Sequence, residues 1–173
     1  DSIRPVEMTG ETITPTEFKT WLDEGREIVV LDTRNDYEVR LGTFEKAIDL
    51  NLSTFRGFPD AVGDSDIDKN LTLVMFCTGG IRCEKASSYL LKQGFKEVYQ
   101  LDGGIIQYAH DIKKENLPSK FIGKNFVFDN RLGEKVTNHI IGKCHQCEHK
   151  ADSHTNCAND ACHILFIQCD NCK

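Results

Sequence analysis

In "LVMFCTGGIRCEKAS" (residues 73–87) an apolar run ends in Cys77, and Thr78, Gly79, Gly80, Ile81, Arg82 and Cys83 follow. A thiol reacts as its thiolate, so a reactive Cys77 needs neighbours that lower its pKa. The loop offers three. Its glycines let backbone N–H groups converge on one point, an anion-binding nest. A helix opening near Cys83 adds the positive end of its dipole. Arg82 brings a permanent charge. Together they predict an activated Cys77 rather than a structural cysteine followed by a turn. Cys83 is a candidate to resolve an oxidised Cys77 as a disulfide, although a place on the opening helix turn suggests a side chain facing away.

The other six of the eight cysteines crowd between Cys144 and Cys172. Cys144-x2-Cys147 and Cys169-x2-Cys172 each put two thiolates on a tight turn, the usual half-site of tetrahedral zinc. The expected arrangement gives one zinc to these outer pairs. Cys157 and Cys162, with His154 and His163 beside them, could share a second. The competing reading is a loop-rich segment of reduced thiols or disulfides. His145 and His149 read as solvated or hydrogen-bonded side chains rather than ligands.

Positioning Cys77 at a strand end requires a particular scaffold. "ITPTEFKTWLDEG" reads as a short helix, with Thr14 as N-cap, Pro15 at the first helical position, Glu17 closing a capping box and Gly25 as stop. "EIVVLDTR", "KAIDLNL" (46–52), "LTLVMF" (71–76) and "EVYQLDGG" (97–104) read as strands. "CEKASSYLLKQG" (83–94) and "IIQYAHDIKKEN" read as helices. Alternation of this kind predicts an α/β fold with an open, mainly parallel sheet covered by helices on both faces. Ligands in such sheets sit beyond the carboxyl ends of the strands, where Cys77, Asp32 and the "LDGG" turn all lie. Asp32, Arg34 and Glu38 could help shape the site but are expected to form a structural charge network, and Asp102 to be a turn residue that supports the thiol loop. Pro118 divides the chain into residues 1–117 and a C-terminal extension, 118–173, with an edge strand at Phe126–Phe128 and the cysteine-rich module at 144–172.

The chain has 173 residues and a net charge of −6. Neither part carries the basic stripe that many phosphate contacts favour, so any nucleic-acid contact must use local patches or other segments. No apolar stretch reaches the roughly 20 residues that span a bilayer. Free thiols and a metal cluster suit a reducing compartment, so a cytoplasmic location is expected.

"CTGGIR" resembles the active-site loop of rhodanese domains. "VVLDTRNDYE", "GTFEKAIDLNL" and "GFKEVYQLDGGI" match the same family in order, over residues 12–112. Four residues separate Cys77 from Arg82, where related dual-specificity phosphatases have five; the narrower cradle favours sulfur over phosphoester chemistry. Beyond Pro118, "FVFDNRLGEKV", "CHQC" and "HTNCANDACHILFIQC" extend the resemblance to the bacterial oxygen-dependent tRNA uridine hydroxylases. That resemblance implies conversion of wobble uridine to 5-hydroxyuridine with molecular oxygen as co-substrate, Cys77 as the catalytic residue, and the tRNA anticodon region as partner. Arg82 would hold the wobble phosphate or uridine O4. Members of that family carry an N-terminal domain able to supply tRNA contacts and usually continue past the position of Lys173, so the chain reads as part of a longer protein. The rival readings are a sulfurtransferase carrying persulfide on Cys77, and a non-catalytic RNA- or protein-binding module. No flavin or nucleotide fingerprint is present, and no two-histidine-one-carboxylate set marks an iron site.

Overall fold

The computed structural model describes residues 8–173. In chain order the elements are β1 (Glu11–Ile13), α1 (Pro15–Asp23), β2 (Ile28–Asp32), α2 (Asp36–Val39), β3 (Gly42–Phe44), β4 (Ile48–Asp49), α3 (Phe58–Gly63), β5 (Thr72–Phe76), α4 (Ile81–Lys92), β6 (Glu97–Leu101) and α5 (Gly104–Lys114). After these come β7 (Phe121–Asn125), β8 (Glu134–Lys135), β9 (His154–Asn156) and β10 (Leu165–Ile167). They form two compact units. The first holds residues up to Asp36 and Lys46–Lys120, the second Tyr37–Glu45 and Phe121–Lys173. The linear division at 117/118 does not contain this interleaving: Tyr37–Glu45 groups with the C-terminal segment.

In the first unit five strands pair in the order β1-β6-β5-β2-β4, every pair parallel. The central β5 reads as continuous apolar sequence because both its faces are covered: Leu73, Val74, Met75 and Phe76 are all fully buried. Helix α1 opens at the expected place, with the N-cap half of the expected capping box. Glu17 N–H donates to Thr14 Oγ1 at 3.2 Å, Pro15 takes the first position, and Gly25 follows the helix with φ +66°. Helix α4 begins at Ile81, two residues before the expected start, and the strand expected over 46–52 shrinks to Ile48–Asp49.

Asp32 and Arg34 are both fully buried beneath the carboxyl end of β2. Arg34 donates from Nε to Asp32 Oδ1 (3.0 Å) and from Nη2 to Asp32 Oδ2 (2.7 Å), while its guanidinium lies over the Phe76 ring. A forked pair of this kind satisfies two charges that would be costly to bury singly. It clamps the ends of β2 and β5 together, with Thr33 N–H donating to Phe76 O at 3.1 Å. Glu38, the third member of the expected network, is also fully buried.

The second unit has a three-stranded antiparallel sheet, β3-β7-β8, and an antiparallel hairpin of β9 and β10. The expected edge strand at Phe126–Phe128 is corrected: the pairing segment is Phe121–Asn125. Phe126 instead packs edge-on against Tyr37 in a small core with Leu41, Cys144, Ala151 and Ile167.

Candidate active site and metal centre

The thiol loop occupies the gap between β5 and α4, and the turn after β6 holds it in place. Cys77 O accepts from Ile105 N–H (3.0 Å) and Thr78 O from Ile106 N–H (3.1 Å). These donors belong to the first turn of α5, where helix N–H groups have no partner within the helix. So close an approach requires bare backbone. Gly104 sits at φ +62°, and a Cβ there would fall 2.5 Å from Cys77 O and 2.7 Å from Thr78 O. The supporting role expected of the "LDGG" turn thus resides chiefly in its second glycine.

Within the loop, Gly80 takes φ +93° as the cap of α4 and donates its N–H to Cys77 Sγ at 3.0 Å. The Arg82 N–H also points at this sulfur. The Arg82 guanidinium is half-buried and donates from Nη2 to Thr78 Oγ1 at 3.2 Å, so it braces the loop while adding positive charge. Ile81 projects outward, 84% exposed.

Cys83 is the residue whose orientation sequence reasoning missed. It is fully buried and packs in the same apolar cluster as Cys77, near enough for its S–H to favour the Cys77 thiolate. The signal was present: Cys83, Ala86, Ser87 and Leu90 follow the i, i+3, i+4, i+7 spacing of one helix face, and all four are buried. The donated S–H is the largest influence on Cys77, whose pKa is lowered from 9.0 to about 6. Burial opposes the shift, and the Arg82 charge with the N–H groups of Arg82 and Gly80 reinforces it. Cys83 moves the other way, well above its ordinary value, because it gives its proton to Cys77, is desolvated and sits beside the Cys77 charge. One sulfur is a stabilised anion at neutral pH, and the other a protonated donor. Such a cradle can hold a nucleophilic sulfur anion or a small anionic group built on it.

In the second unit, the sulfurs of Cys144, Cys147, Cys169 and Cys172 all lie within 4.8 Å of one another, Cys147 and Cys169 at 3.5 Å. Metal–sulfur bonds of about 2.3 Å in a tetrahedron put sulfurs about 3.8 Å apart, so the four fit a metal ion, and none is in a disulfide. N–H groups of Cys169, Gln146 and Cys147 converge on Cys144 and lower its pKa to about 6. Cys172 is pushed up to about 12 as it shares its proton with Cys147 and Cys169, a strain that a cation among four thiolates would relieve. His145 is no ligand through Nδ1, which accepts from Ile167 N–H at 2.9 Å. His149 is exposed. Cys157 and Cys162 lie in or beside the β9–β10 turn and join no cluster of three or more metal-binding side chains among the described residues.

A parallel sheet with a nested thiolate at the end of its central strand defines a rhodanese-like domain. The rhodanese-like domain family matches residues 14–111, and the chain belongs to the rhodanese family. A second family, described as rhodanase C-terminal, matches residues 122–173. The chain is 50% identical over 99% of its length to a tRNA uridine(34) hydroxylase of Yersinia pestis. It is 54% identical over 83% of its length to the protein of that name from Pectobacterium carotovorum. It spans about half of these curated relatives, 48% and 41% respectively. The Alr3790 protein of Anabaena sp. shares the fold, with a TM-score of 0.52 at 20% identity, covering 69% of this chain and 96% of that one.

Proposed function

We propose that this chain forms part of an enzyme that hydroxylates C5 of the wobble uridine of tRNA, with Cys77 as its reacting thiolate and molecular oxygen as co-substrate. The observation that carries the reading is 50% identity, along nearly the whole chain, to proteins named for that reaction. The lowered pKa of Cys77 supports it, because a thiolate can add to C6 of a uracil ring and make C5 an enolate-like carbon able to accept oxygen. The N–H groups around the sulfur and the Arg82 charge would steady negative charge as it develops on the base or its phosphate. A wobble base is already single-stranded, so turning it into the loop costs little. Cys144, Cys147, Cys169 and Cys172 would hold a structural zinc ion, supporting the second unit rather than the chemistry. Residues of the relatives' additional length would share in gripping the anticodon arm, and an enzyme acting on tRNA would work in the cytoplasm. Among the described residues, no helix is long and apolar enough to cross a membrane.

Mass spectrometry of wobble uridine from a strain lacking the gene tests the reading. Loss of the C5 oxygen supports it. Loss of a sulfur modification instead would make the chain a sulfurtransferase, and an unchanged nucleoside would leave it a binding module. Restoration by the wild-type gene, and not by Cys77→Ser, ties the outcome to this loop.

A further inference from the structure

Behind Cys77 lies a second sulfur that nucleophilic chemistry at Cys77 does not consume. Cys83 is fully buried and packs in the same apolar cluster as Cys77, Ala86 and Leu90. Its Sγ is 3.9 Å from Thr33 Oγ1. The Thr33 hydroxyl spends its only proton on Phe76 O at 2.8 Å, so toward Cys83 it can act only as an acceptor. The Cys83 proton therefore has two acceptors, the Cys77 sulfur and the Thr33 oxygen, and both hold it between β2, β5 and α4. An external reagent meets the loop first, where Gly79 is exposed and Gly80 half-exposed. Cys83 itself has no exposed surface.

We propose that Cys77 and Cys83 form a dithiol–disulfide couple in which a hydroperoxide oxidises Cys77 and the buried Cys83 thiol traps the product. In the first step the Cys77 thiolate attacks one peroxide oxygen and the O–O bond breaks. The departing oxygen leaves as hydroxide, or as alkoxide from an organic peroxide, and takes a proton from water. Cys77 is then a sulfenic acid. In the second step Cys83 sulfur attacks Cys77 sulfur, the S–O bond breaks, and the hydroxyl departs as water with the Cys83 proton. Two thiols have lost two electrons and the peroxide has gained them; an external dithiol returns the pair to its starting state. The disulfide needs sulfurs about 2.0 Å apart, closer than hydrogen-bonded thiols stand. A Cβ at Gly79 would meet nothing within 4 Å, so the loop has open space on that side into which to shift. Trapping protects the reactive sulfur, since a sulfenic acid with no thiol beside it oxidises further, and irreversibly.

The inference rests on the reading of Cys77 as a reactive thiolate, but its test uses no tRNA, so its failure and that of the hydroxylase reading are distinguishable. The metal-loaded protein is exposed to hydrogen peroxide at neutral pH, blocked with N-ethylmaleimide and digested with trypsin. Cleavage after Lys69, Arg82 and Lys85 releases Asn70–Arg82 and Cys83–Lys85 as separate peptides unless a Cys77–Cys83 bond joins them. The expected result is the joined pair as the main oxidised form of Cys77, restored to two free thiols by dithiothreitol. Cys83→Ala at the same dose should raise irreversible Cys77 sulfinic acid several-fold. Wild-type protein that accumulates sulfinic acid on Cys77, or leaves it unoxidised, without the joined pair overturns the proposal. That arm decides the matter even if Cys83→Ala does not fold.

Discussion

Replacing Cys83 with alanine should make Cys77 a weaker acid while leaving its nest in place. The total lowering, from 9.0 to about 6, corresponds to about 4 kcal/mol in favour of the thiolate, at 1.36 kcal/mol per pH unit. A hydrogen bond to a charged group contributes about 1.5–3 kcal/mol, or roughly one to two pH units. The Cys83 S–H is the largest influence on Cys77, so the Cys83→Ala midpoint should rise to about 7–8. Alkylation of Cys77 by iodoacetamide between pH 4 and 10, followed on the Asn70–Arg82 peptide, reads this midpoint. Circular dichroism would check that the variant is folded. A folded Cys83→Ala protein whose midpoint stays near 6 would show that the N–H groups of Gly80 and Arg82 with the Arg82 charge suffice, and would refute the reasoning. The sign carries over to stability. The folded pKa lies below the free value, so the thiolate's contribution is complete above about pH 9 and is lost as pH falls through about 6.

Three further outcomes are expected. Gly104→Ala, which combines a left-handed backbone with a Cβ 2.5 Å from Cys77 O, should cost about 2–4 kcal/mol from strain and overpacking. It should also slow Cys77 labelling, read by thermal melting and the same alkylation assay. Asp32→Ala strands the buried Arg34 guanidinium and should destabilise the protein by about 3–5 kcal/mol in urea denaturation. Chelation, or Cys147→Ser, should release bound zinc measurable by elemental analysis and abolish protection from amide exchange past residue 140. Protection in β2, β5 and β6 should survive; a metal-free protein with an unchanged exchange pattern would contradict the structural role given to the cysteine cluster.

Much of the site was legible because its determinants are local. The nest of Cys77 is made by residues within five positions of it, and each half of the cysteine cluster is a two-cysteine turn whose geometry depends little on the rest of the chain. Strands β2 and β5 were legible for a different reason, since burial on both faces leaves an unbroken apolar run. What escaped was set by long-range pairing. Gly42–Phe44 has no pattern of its own and becomes a strand only because Phe121–Gly123 lies antiparallel to it. The aromatic Phe126 and Phe128 imitate strand alternation, yet Phe126 packs as a plug while the backbone pairing ends at Asn125. The orientation of Cys83 was encoded in its helical spacing, and was obscured by placing the start of α4 at Cys83 instead of Ile81.

The interleaving of the chain has an evolutionary corollary. The second unit draws β3 from the middle of the rhodanese segment, so a single gene junction cannot add or remove it. Joined at residue 118 to an unrelated rhodanese, the C-terminal segment would arrive without the strand that β7 pairs with, and β7 would be left as an open edge prone to aggregation. Keeping this extension requires a rhodanese partner whose residues 37–45 fit it, because β3 pairs with β7. The two regions should therefore have been inherited together and changed together, whereas the thiol loop can vary within its own unit without disturbing that seam.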